Sequence, residues 1–123
     1  MTLTELRDFA TRYTAAWCSE NPAGVAAFFS PEGSLTVNCG DPATGRAAIT
    51  AVAQSFMTDI PDLHLVMDDV ILRDGHAEYR WTLSSAILRL HISGYEQWTF
   101  AADGLIAESQ GHFDAEDYRR QLG

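Results

Sequence analysis

Three ionisable side chains near the end of the chain, Glu96, His112 and Asp114, are spaced so that they could move protons. Each falls in a segment otherwise apolar or small enough to be half buried. There a carboxyl or an imidazole either meets a partner or shifts its pKa, which is how proton-transfer sites arise. His112 and Asp114 stand two apart, so in a regular strand their side chains share a face. The carboxylate would orient the imidazole and favour its charged form, the layout of a general acid/base pair. The competing reading makes Asp114 the cap of a following helix and leaves His112 on the wet face of a sheet. Glu96 alternates with Trp98 and Phe100. A carboxyl held against such aromatics has a raised pKa, whereas a pairing with Arg80 on the neighbouring strand would lower it. A bulge at Gly94 or Gly111 would swap every residue beyond it between the two faces.

The elements that must position these groups follow from periodicity. Residues 94–100 and 105–114 read as two strands joined at Asp103-Gly104, the signature of a type I′ hairpin turn. Upstream, residues 3–20 carry Leu6, Phe9, Ala10, Tyr13, Ala16 and Trp17 at helical spacing, behind a Thr2/Glu5 capping box. Asn21-Pro22 opens a short second helix reaching about Phe29, which Ser30-Pro31-Glu32-Gly33 ends. Residues 34–39 form a strand, 40–45 a loop and 46–59 a third helix stopped by Pro61. Strands over 62–73, 76–85, 89–100 and 105–113 follow, then a helix over 114–122. Helices gathered before an antiparallel sheet define an α+β fold. A long twisted sheet wrapped around three helices makes a cone, whose open end is a pocket unless side chains plug it.

Other residues fit that pocket. Helical spacing turns Tyr13 inward, where its hydroxyl needs a partner. Trp17, Trp81, Trp98, Phe28 and Phe56 are either core or, around the mouth of a cone, a platform for a flat apolar ligand. Asn38 ends a short strand and either orients a substrate carbonyl or closes a turn. Glu108 and His76 read as exposed and His64 as half buried. Cys18 and Cys39 read as small buried residues in a reducing compartment.

Composition narrows the class. The 123 residues are enough for one domain with a real core, and 46% are hydrophobic. Seventeen acidic against eight basic residues leave a net charge of -9, and there is no lysine. That field disfavours nucleic acid and anionic membranes. No apolar run approaches a bilayer span, and Thr2 through Asp8 is no secretory leader, so the expected location is the cytoplasm. The sequence carries no metal, nucleotide or flavin motif, so a cofactor-free chemistry is expected.

The order of elements resembles the nuclear transport factor 2-like superfamily, with its cystatin-like architecture, and within it the SnoaL-like branch. The resemblance covers nearly the whole chain, residues 1–123 as a single SnoaL-like domain. It is carried by Ile92 through Trp98, Asp103 through Ser109 and Gly111 through Asp114. It implies a cone with an internal cavity, a homodimer through the outer sheet face at Tyr95, Gln97 and Thr99, and a small hydrophobic ligand. It also implies the chemistry of an isomerase, cyclase or dehydratase on a carbonyl compound, with water addition to an epoxide or non-catalytic binding as alternatives. By that resemblance Asp114 is the counterpart of the acid/base aspartate of polyketide cyclases. Its assisting histidine has no match in Thr82-Leu83-Ser84-Ser85, leaving His91 or His112 to substitute. The epoxide reading requires Arg80 beside Asp114 or Glu96.

Overall fold

Helix α1 (Leu3–Trp17) begins at Thr2, whose side chain accepts from the Glu5 N–H at 3.1 Å while Glu5 accepts from the Thr2 N–H at 2.9 Å. This reciprocal cap satisfies two otherwise orphaned donors. Leu6, Phe9, Ala10 and Tyr13 form its buried stripe. Helix α2 (Pro22–Ala26) is capped by Asn21 and is shorter than the spacing predicts, because Phe29 already belongs to strand β1 (Phe29–Val37). The Ser30-to-Gly33 run is therefore not a break but an irregular stretch of strand, across which the pairing register jumps. Strand β2 (Ala43–Thr44) forms within the expected loop, and helix α3 (Arg46–Asp59) follows from Gly45. Strands β3 (His64–Arg73), β4 (His76–Ser85), β5 (Leu90–Phe100) and β6 (Ile106–Phe113) and helix α4 (Ala115–Leu122) complete the chain. The computed structural model describes residues 1–122.

The six strands form one curved sheet in the order β2-β1-β6-β5-β4-β3. All pairs are antiparallel except β1 with β6, which runs parallel. The sheet is thus mixed at one edge, since β1 precedes α3 in the chain and returns beside the last strand. The bulges that add twist and curl lie at neither Gly94 nor Gly111. Besides the jump between β1 and β6, one register shift leaves Asp68 without a partner on β4, and another leaves Ala107 without one on β5. The two Asp-Gly turns also differ from the type I′ expectation. Gly75 and Gly104 have positive φ but Asp74 and Asp103 do not. Asp103 instead accepts from the Leu105 N–H at 2.9 Å and from the Ser30 hydroxyl, which favours a longer turn with one left-handed residue. Among the described residues, no helix is long and apolar enough to cross a membrane.

Candidate functional site

Across the inner face of the sheet the pairing register sets three rows. Ala77, Trp98, Ser109 and Leu35 form the first; Tyr79, Glu96, Gly111 and Val37 the second; Trp81, Gly94 and Phe113 the third. Each large residue of β5 or β6 faces a small one on the strand beside it, so both fit inside a tight curve. Gly94 is needed for this fit: a Cβ there would meet the His112 carbonyl and lie 2.5 Å from Trp81 Cζ2. Trp81 can therefore lie against the bare backbone of β5, with its rings against the edge of Phe113 at 6.0 Å.

Around the first row the cone is closed by aromatic packing. Tyr79 stacks on Trp98 at 4.8 Å, and Tyr13 and Phe9 meet Trp98 edge-on at 5.1 and 5.7 Å. Glu96 stands where this packing ends and is only 7% exposed. Three donors converge on its Oε1: the Tyr13 hydroxyl at 3.0 Å, Trp98 Nε1–H at 3.1 Å and the Ser109 hydroxyl at 2.8 Å. Oε2 takes no hydrogen bond among the described residues, and it is not one of their sealed, unpartnered polar atoms. It is therefore the oxygen that Glu96 turns to the cavity, which that residue lines.

Burial pushes the Glu96 carboxyl above its usual pKa, and the three donors offset part of that rise by favouring the charged form. The Tyr13 hydroxyl is pushed far upward, first by burial and then by the negative charge of Glu96, so it stays protonated and keeps donating. The indole of Trp17 is near enough to act against that rise, although its Nε1–H forms no hydrogen bond there.

The cavity opens on the side of Glu96 away from the packed end. Its walls are almost wholly apolar and include Trp17, Phe56, Trp81, Phe113 and Tyr118. The centre of a water-sized sphere can range over about 70 Å³ of it. A single water needs about 10–15 Å³ on that measure, so the cavity has room well beyond one water. Gly111 faces Glu96 across the β5–β6 pair, so no side chain crowds the carboxyl from that strand. Phe56, Phe113 and Tyr118 also border a wider outer recess, whose rim carries Asp41 and Asp59. Tyr118 comes from α4, which Gln121 ties to β5 by accepting the His91 N–H at 2.7 Å.

The structure brings Tyr13, Trp17, Phe56, Trp81, Glu96 and Trp98 together and leaves the other sequence candidates outside. Strand β6 ends at Phe113, so His112 and Asp114 do not share a strand face. Asp114 is exposed, and its Oδ1 accepts from the Glu116 and Asp117 N–H groups, each at 3.0 Å, as the cap of α4. His112 points outward, with its ring 5.0 Å from that of Tyr95. Arg80 is on the same outer face, paired with Glu78 at 2.7 Å. It therefore cannot hold a water with Glu96 in the cavity. His91 is exposed, and Asn38 closes the turn after β1 by accepting the Phe113 N–H at 2.9 Å. Cys18 and Cys39 are free thiols and exposed, not buried; Cys18 sits just past the buried stripe of α1 and Cys39 in a left-handed turn. Sequence reasoning gives Ser109 no role in the site and treats Gly111 only as a possible bulge, yet both line its inner face. Their period of two with Phe113 was the available signal.

The profile of the SnoaL-like domain matches residues 10–109, and the chain belongs to that family. No curated protein matches the sequence. Among solved structures, a protein with a ketosteroid isomerase-like fold from Catenulispora acidiphila, in complex with trimethylamine, superposes with a TM-score of 0.83. It is 17% identical, over 94% of this chain and 92% of that one. A candidate SnoaL-like polyketide cyclase from Jannaschia sp. CCS1 gives a TM-score of 0.73 at 13% identity, over 94% and 92% of the two chains. A de novo designed protein with a curved β-sheet gives 0.80 at 14% identity, over 98% and 94%. These likenesses show the fold. An activity has to be argued from the site.

Proposed function

We propose that this protein is a cofactor-independent acid/base enzyme that moves a proton on a small, largely apolar, carbonyl-bearing molecule in the cone cavity, with Glu96 as the acting group. The observation that carries this reading is the division of labour between the two carboxyl oxygens. Oε1 is held by Tyr13, Trp98 and Ser109, while Oε2 is left for the cavity. A group fixed in this way needs no reorganisation at the moment of reaction. Its raised pKa brings it closer to neutrality, where a general base is most effective.

In the reaction envisaged, Oε2 takes a proton from the carbon beside the carbonyl. The freed electron pair moves towards the carbonyl oxygen, giving an enolate. The resulting carboxylic acid then returns the proton. Delivery to another carbon is isomerisation, delivery to a departing β-hydroxyl is dehydration with loss of water, and attack of the enolate carbon on a second carbonyl is ring closure, the proton then passing to the new alkoxide oxygen. The test uses cyclohexanone in D2O, with exchange of its α-protons followed by NMR. The native protein should accelerate exchange above buffer, and Glu96→Gln should abolish the acceleration. Equal rates for the two proteins would remove Glu96 from the role.

A second reading, a binding module without chemistry, draws on the walls. Aromatic side chains around a buried carboxyl suit a small organic cation, and the Catenulispora neighbour was solved with trimethylamine bound. Tetramethylammonium binding tighter than cyclohexanone, with no proton exchange, would favour it. For the assembly we propose a homodimer through Tyr95, Gln97 and Thr99 on the outer face, where Tyr95 is 38% exposed. Sedimentation showing only monomer would refute it.

A further inference from the structure

The cavity beside Glu96 shares its outer wall with the wider recess. Phe56, Phe113 and Tyr118 border both spaces, as do Leu35 and Val37. On the same measure the recess spans about 540 Å³ against about 70 Å³ within. The inner space can take only the head of a larger ligand, whose remainder has to lie beyond the three rings. Two of those rings are fixed. Phe56 meets Trp17 edge-on at 6.1 Å, and Phe113 meets Trp81 at 6.0 Å. The ring of Tyr118 lies 6.5 and 5.3 Å from theirs, but it comes from α4, a helix with no buried residue. An element with so few buried contacts opens cheaply, so Tyr118 is the ring that can move aside. The charged residues lining either space, Glu96 inside and Asp41 and Asp59 outside, all carry carboxyl groups. An anionic group in the recess would meet like charge at the rim and no cation among the described lining residues.

We propose that the outer recess is a second subsite of the same site: it takes an apolar, non-anionic group of the ligand whose carbonyl end lies at Glu96, and the two parts join beside Tyr118. This deepens the reading of the cavity as a proton-transfer site and rests on it for the carbonyl end. A ring-sized group set against Leu35, Val37, Val52 and Phe56 gains affinity in proportion to the apolar area taken from water. The rim carboxylates add selectivity, because they oppose a carboxylate or phosphate at that end and leave a neutral group unpenalised.

The experiment compares three probes: cyclohexanone, its derivative with a phenyl group opposite the carbonyl, and that phenyl ketone with a carboxylate at the far end of the phenyl ring. Binding is titrated by NMR through the backbone N–H signals of the protein. The phenyl ketone should bind about tenfold more tightly than cyclohexanone. It should also move the Val52 and Ser55 signals, which cyclohexanone leaves in place. The carboxylate should lose most of the gain. Ser55 is exposed on the recess side of α3, so Ser55→Trp should fill the recess and bring the two neutral ketones to equal affinity. Equal affinities in the native protein, unmoved Val52 and Ser55 signals, or a preference that survives Ser55→Trp would overturn the subsite. A carboxylate bound as tightly as the phenyl ketone would overturn its selectivity. The outcome separates from that of the catalytic reading. A recess-dependent preference without Glu96-dependent proton exchange would keep the subsite and dismiss the base, and exchange without the preference would do the reverse.

Discussion

The two ends of the cone are built from the same kinds of side chain and do opposite things. At the closed end, Phe9, Tyr13, Tyr79 and Trp98 interlock edge to face and stack, and all three polar atoms of the enclosed rings find partners, Tyr13 by donating to Glu96. The Tyr79 hydroxyl is 2.5 Å from Thr14 Oγ1, and Trp98 donates to Glu96. At the open end, Trp17, Phe56, Trp81, Phe113 and Tyr118 also meet edge to face, yet they enclose empty space and leave two indoles unmatched. Glu96 lies on the boundary, with one oxygen belonging to each end. The difference teaches that aromatic content does not decide whether a cone is core or pocket. What decides it is whether the polar atoms of the rings are satisfied within the protein.

That contrast can be broken from either side. Glu96→Ala should have the largest effect, because it strands three donors at the closed end. At about 1–3 kcal/mol for each unsatisfied buried group, the loss should exceed about 3 kcal/mol, read as a lower urea midpoint. Gly94→Ala should come next. The new methyl collides with the His112 carbonyl and Trp81, so overpacking should destabilise by about 1–3 kcal/mol. The accompanying change in Trp81 fluorescence would localise the damage to the open end. Asp114→Ala should cost about 0.5–2 kcal/mol through loss of the α4 cap, seen as faster amide exchange across 115–122. Cyclohexanone exchange should survive this change far better than it survives Glu96→Gln. His112→Ala should lie within about 0.5 kcal/mol of the native protein, as expected for a surface change.

How far the sequence discloses this site depends on which physical signal each residue carries. The inward position of Glu96 follows from its alternation with Trp98, because β5 is regular through Gly94 and up to Thr99. Helix α3 and strand β4 have the bounds that periodicity predicts, with Pro61 and Asp74-Gly75 marking their limits. Asp114 reads equally well as a strand residue on the face of His112 and as a helix cap. Period-two counting cannot choose between them, and the preference of Asp for a helix start wins. Ser109 sits between Glu108 and Gln110, so its local setting looks wet. Only the pairing with Trp98 shows it to be buried. The bulge at Asp68 leaves a trace that glycine-based reasoning overlooks: the inward positions of β3 run Leu65, Met67, then Val70, a change of phase across two aspartates.

The central claim is that Glu96 is a buried carboxyl poised by its surroundings, and its own titration tests that most directly. Its pKa in the folded protein is raised above the usual 4.5. The stability it contributes is therefore full below that value and is lost as pH climbs through the folded-state pKa. A carbon-13 NMR titration of the Glu96 side-chain carboxyl should show a midpoint above 4.5, moving higher still in Tyr13→Phe, where one donor to the charged form is gone. A midpoint at or below the usual value, unmoved by Tyr13→Phe, would contradict the account.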